Sequence, residues 1–108
     1  METLSQAMSE EGDVKMNRDF CDELVNRIEY LSKEKNNGRC DLLDYYALET
    51  RKLMNYGEYR IAVENLLSNI HDSSIVLDKR TIELARQSFG KLITEQDELV
   101  LRLLTELL

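Results

Sequence analysis

The sequence contains no proline and no tryptophan, and it has only four glycines, two cysteines and one histidine among 108 residues. Each shortage excludes something. Without proline the strongest helix breaker is missing from the whole chain, so helices are favoured before any pattern is read. Cys21 and Cys40 stand far apart with no metal-type spacing around either. That argues against a disulfide scaffold and a zinc site and leaves both as small apolar packing groups. The single histidine, His71, provides neither a ligand cluster nor a base for a nucleophile; at a helix end its ordinary role is to face the negative end of the dipole. The glycines form no G-x-G-x-x-G, no phosphate-binding loop and no G-x-S-x-G, so nucleotide binding and serine hydrolysis have no seat. The most apolar stretch, residues 99–108, is interrupted by Arg102 and Glu106 and is too short to span a bilayer. With no leader read at the N-terminus, the expectation is a cytoplasmic, non-enzymatic protein that uses no metal and no cofactor.

What is present points to one helical domain. Hydrophobic residues make up 43% and charged residues 32%, a globular balance, and a chain of this length buries one modest core. The formal net charge is −7, which repels phosphate backbones and anionic lipid and favours a basic protein as partner. Direct nucleic-acid and membrane binding are therefore not expected. The acidity is uneven: residues 1–14 carry Glu2, Glu10, Glu11 and Asp13 with no base, and residues 41–75 hold six acids against Arg51, Lys52 and Arg60.

Residues 1–16 show no sustained apolar face and are expected to form a flexible acidic tail ahead of a single helical domain over 17–108. The spacing of Phe20, Leu24, Ile28 and Leu31 predicts a first helix over 17–35, stopped at Asn36, Asn37 and Gly38. A second helix is expected from an Asp41 cap to Gly57, with Leu42, Tyr45, Tyr46, Leu53 and Tyr56 largely on one side. A third, over 58–71, has the clearest stripe, Tyr59, Val63, Leu66, Leu67 and Ile70, and should be the most buried. Ile75, Val76 and Leu77 form an apolar bridge expected to plug the core. Asp78 opens a fourth helix whose inner face is Ile82, Ala85, Phe89 and Leu92; Thr94 with Asp97 reads as a capping-box variant before a last helix carrying Leu99, Leu103, Leu104 and Leu107. Short connections favour antiparallel neighbours, so the expected fold is all-α, a compact bundle of four to five antiparallel helices.

Tyrosine is the informative excess. Tyr30, Tyr45, Tyr46, Tyr56 and Tyr59 gather mostly around the second helix and its turn, among Asp44, Glu49 and Glu58. Core packing is the ordinary role of any one of them, but Tyr45 and Tyr46 lie about 100° apart on a helix, so a narrow core stripe cannot bury both equally. Aromatics beside acids are typical of surfaces that dock a basic partner. The candidate partner-binding residues are Asp44, Tyr45, Glu49, Tyr56 and Glu58. No pair of carboxylates separates from the solvated faces as an acid–base couple.

Residues 45–84 resemble small bacterial immunity proteins of the MafI type, related in role to those of contact-dependent growth inhibition systems. The likeness rests on a helix ending in glycine, a G-E-Y-x-x-A-x-E-x-L helix matched by Gly57, Glu58, Tyr59, Ala62, Glu64 and Leu66, and an acid-opened helix after a short apolar loop. The chain departs from that family in its N-terminal extension and in lacking proline over 73–77. The resemblance implies an antitoxin that binds a cognate toxin domain, commonly a basic nuclease, and covers its active site or substrate cleft. The alternative reading is a helical adaptor or regulatory protein that binds a partner peptide or self-associates.

Overall fold

A computed structural model describes residues 15–34 and 40–108. These residues form five α-helices: α1 (Arg18–Ser32), α2 (Cys40–Asn55), α3 (Tyr59–Asp72), α4 (Lys79–Phe89) and α5 (Glu95–Glu106), with a 3-10 turn, Gly90–Leu92, ahead of α5. The compact all-α bundle expected from the sequence is the fold observed. Of the expected tail, residues 1–14 lie outside the described residues, as do the helix stop at Asn36, Asn37 and Gly38 and the side chain of Cys40. Met16 is already buried, and the Asn17 N–H donates to the Ser88 carbonyl at 2.8 Å, so the chain is anchored to the end of α4 before α1 begins.

Local chemistry sets the helix ends. Asn17 caps α1 by accepting the Phe20 N–H, and Asp78 caps α4 by accepting the Thr81 N–H at 2.9 Å. Thr94 and Asp97 form a reciprocal capping box on α5, with bonds of 3.0 and 3.1 Å. Asp41, expected as a cap, instead lies inside the first turn of α2, where its charge still meets the positive end of the dipole. Helix α2 ends in a Schellman motif: Gly57 N–H bonds to Met54 O at 2.9 Å and Glu58 N–H to Leu53 O at 3.0 Å. Gly57 supplies the φ of 82° that this reversal requires. Helix α3 ends in the same way, except that a serine, Ser74, takes the left-handed position with φ 56°. Its N–H bonds to His71 O at 2.9 Å, and Ile75 N–H bonds to Ile70 O at 3.1 Å. Ile70 and Ile75 are both buried, the apolar contact that accompanies this motif.

The helices close into a ring whose principal pairs are α1 with α2 and α4, α2 with α3, α3 with α5, and α5 with α4, and α1 also touches α3 across it. Consecutive α3 and α4 are not a principal packing pair, because residues 73–78 carry the chain from one side of the ring to the other. Val63, Leu66, Leu67 and Phe89 are at most 1% exposed and form the centre of the core.

Three expectations about faces are corrected, and the bridge after α3 plugs the core as expected through two of its three residues. The buried stripe of α2 is Leu43, Ala47, Thr50 and Met54; Leu42, Tyr46 and Leu53 flank it, while Tyr45 and Tyr56 point outward. α3 is not the most buried helix, since α4 buries six of its eleven residues against five of fourteen in α3. Part of the excess is polar by type: Thr81 and Ser88 are fully buried, with the Thr81 hydroxyl bonded to Asp78 and the Ser88 hydroxyl to Ala85 O at 2.7 Å. In α5 the fully buried leucines are Leu101 and Leu104, whereas Leu99, Leu103 and Leu107 are only partly buried. The bridge after α3 alternates, with Ile75 and Leu77 inward and Val76 exposed.

Candidate functional site

With Leu43, Ala47, Thr50 and Met54 turned inward, helical periodicity sends Asp41, Tyr45, Leu48, Lys52 and Tyr56 to the opposite side of α2, with Asp44 and Glu49 at the edges. Seven large apolar or aromatic side chains are exposed among the described residues, and three of them, Tyr45 at 56%, Leu48 at 54% and Tyr56 at 83%, lie on this one face. The other four are scattered over α1, α3, the bridge and the C-terminus, where single exposed hydrophobics are ordinary.

The structure places the sequence-derived residues unequally. Asp44 and Tyr45 are exposed on the α2 face, and Tyr56 caps its end. Glu49 is partly exposed and pairs with Lys52 at 3.3 Å, an exposed i,i+3 pair of small energetic weight. Glu58 leaves the face: Gly57 turns the chain, and Glu58 becomes the exposed N-cap of α3 without a side-chain cap bond. The five tyrosines divide. Tyr46 turns toward the core and its hydroxyl meets Ser73 at 2.6 Å, while Tyr45 stands outward with ring centroids 6.1 Å apart. Tyr59 is half-buried beneath the Arg18 guanidinium at 4.7 Å, and Tyr30 stacks with Arg27 on α1.

Leu48 and Lys52 were missed by sequence reasoning. Leu48 was legible at three residues from Tyr45, but only after Tyr45 is known to face solvent. Arg51, the remaining cation of α2, does not serve this face. It bonds Glu29 of α1 at 2.8 and 3.1 Å and Asn26 at 2.6 Å. The Arg51 hydrogen bonds hold the Glu29 carboxyl below the usual carboxylate range, and Glu29 in turn raises the guanidinium. The outer face is left with Asp41, Asp44 and Glu49 against Lys52 alone, an acidic surface around an aromatic and aliphatic centre.

A second polar cluster, absent from the sequence analysis, joins α3 to α5. Arg60 reaches Glu64 at 3.2 Å, Asp97 at 3.6 Å and the Leu92 carbonyl at 3.2 Å. Burial pushes the Glu64 carboxyl up, and the adjoining Asp97 carboxylate pushes it further. A cavity of about 260 Å³ adjoins the pair. Asp97 is 4% exposed and accepts the Thr94 N–H, so its charge is engaged in holding α5 to α3. Burial likewise pushes the Cys21 thiol up to about 11, against the pull of the neighbouring Ser88 hydroxyl, which makes it a poor nucleophile at neutral pH. His71 lies in the last turn of α3, 3.8 Å from Asp72. Among the described residues no three His, Cys, Asp or Glu side chains are grouped to hold a metal, and no helix is long and apolar enough to cross a membrane. Compared with family models, curated proteins and solved structures, the chain finds no match.

Proposed function

We propose that this chain is a binding protein that docks a basic protein domain on the outer face of α2, in the manner of an immunity protein neutralising a bacterial toxin domain, and that it does so without catalysis. The observation that carries the reading is the joining of Tyr45, Leu48 and Tyr56 into one exposed stripe bordered by Asp41, Asp44 and Glu49. Interfaces draw most of their affinity from a few aromatic and apolar anchors, while surrounding charges steer the encounter and reject partners of like sign. A nuclease domain that grips a phosphate backbone presents a basic cleft, and an acidic stripe with projecting tyrosines complements it in charge. The likeness of residues 45–84 to MafI-type immunity proteins supports the toxin-directed form of the reading.

The test is co-expression with a basic toxin domain encoded beside this chain. Rescue of growth by the parent chain and loss of rescue by Tyr45→Ala/Leu48→Asp, with the fold retained by circular dichroism, is expected. Full protection by that variant removes α2 as the interface. A neighbourhood without any toxic reading frame favours the adaptor instead.

A further inference from the structure

Lys79, Arg80 and Arg86 line a cleft of about 380 Å³ between the start of α4 and Thr105 in the last turns of α5, a volume near the lower end of small-ligand pockets. In a chain of net charge −7, three cations share this wall with a single carboxylate, Glu83. Neither Lys79 nor Arg80 makes an ion pair among the described residues. Both occupy the first turn of α4, which holds no acid, and cations there oppose the helix dipole. They therefore contribute nothing evident to the helix that carries them. Arg86 is bonded through Nη1 to Glu98 of α5, which fixes one corner of the guanidinium and leaves the remaining donors of the fork available. Ile82, itself buried, adds an apolar part to the wall.

We infer that this cleft binds the phosphate or diphosphate group of a small molecule. Convergent lysine and arginine donors match phosphoryl oxygens, with the arginine fork giving direction and the lysine a mobile point charge. An extended polyanion is disfavoured, because beyond the cleft it meets the acidic remainder of the surface. The site is separate from the α2 face: α2 and α4 both pack on α1 but are not a principal packing pair.

The test titrates the whole chain with sodium pyrophosphate at constant ionic strength, using calorimetry together with amide ¹⁵N–¹H shifts. A saturable one-site response is expected, with shifts confined to residues 79–86 and the neighbourhood of Thr105. Lys79→Gln/Arg80→Gln, and separately Arg86→Gln, each weaken binding by about tenfold or more, while Lys91→Gln, an exposed cation outside the cleft, leaves it unchanged. Thermal melts of the variants confirm that the fold is intact. Non-saturating shifts spread over the surface, or equal losses in Lys91→Gln and the cleft variants, overturn the inference. Capture by vesicles containing phosphatidylinositol bisphosphate, without a saturable response to free pyrophosphate, overturns it as well, because the ligand is then a membrane surface.

Discussion

Ser74 holds a φ of 56°, a conformation in which any side chain beyond glycine is strained. The Schellman motif of α3 nonetheless fixes it, because Ile75 must turn back onto Ile70. Ser74→Gly is therefore expected to raise stability by about 0.5–1 kcal/mol, read as a higher urea midpoint at unchanged slope. The same substitution at Ser73, whose φ of −90° carries no left-handed strain, should give no such gain. Cys21 makes a different prediction. Fully buried, with its thiol raised to about 11, it should resist iodoacetamide at pH 8 in the native protein and react once urea unfolds it. Mass spectrometry of the Cys21 peptide decides this, and rapid native labelling would mean that α1 opens away from α4.

At the scale of elements, the charged cluster between α3 and α5 gives the pH dependence. The folded-state pKa of Glu64 is raised, first by burial and then by Asp97, so the folded chain binds this proton more readily than the unfolded chain does. The ionised form therefore lowers stability at neutral pH, and that loss is relieved as pH falls through the raised folded value toward the unfolded value near about 4.3. Relative to Glu64→Gln, the parent chain should gain stability on acidification from neutral to about pH 5, checked by paired urea midpoints. Glu29 acts in the opposite sense. Arg51 lowers its folded pKa, so its contribution is present above the unfolded value and is lost as pH falls through the folded one. The α5 cap was legible in the sequence, since Thr94 and Asp97 have the required spacing. That Asp97 also faces Arg60 and Glu64 was not, because residues 33 and 37 positions apart meet only after the ring closes.

For the whole molecule, stability and binding should separate. Leu66→Ala, at the centre of the ring with 1% exposure, is expected to cost roughly 2–5 kcal/mol, read from chemical denaturation. Asp44→Lys with Glu49→Lys should shift stability by only about ±0.5 kcal/mol, since neither is buried, yet slow association with a basic partner. The slowing should fade as salt rises and the screening length shortens to about 8–10 Å. Tyr56→Ala should instead raise the dissociation rate with little change in melting temperature, because its ring is 83% exposed and adds little to the core. A salt-independent association rate in stopped flow, or a fully protective double-lysine variant, removes charge steering by this face.

The amino-acid order alone determined the helical class, the caps at Asp78 and Thr94, the reversal at Gly57, and the core around Val63, Leu66, Leu67 and Phe89. These depend on interactions within a few residues of chain or on an unambiguous apolar stripe. Tertiary structure decided what local pattern leaves degenerate. In α2 apolar residues occur around the whole circumference, so Leu43 and Tyr45 are equivalent candidates until α1 and α3 pack on one side. In α5 the same excess of leucine hides which ridge meets α3, and packing selected Leu101 and Leu104. Thr81 and Ser88 entered the core because their hydroxyls find partners there, Thr81 at the Asp78 cap and Ser88 at the Ala85 carbonyl, a condition composition does not register. The outward stripe of Tyr45, Leu48 and Tyr56 follows from that same choice: a helix with apolar groups on every side buries the face its neighbours cover and exposes the other.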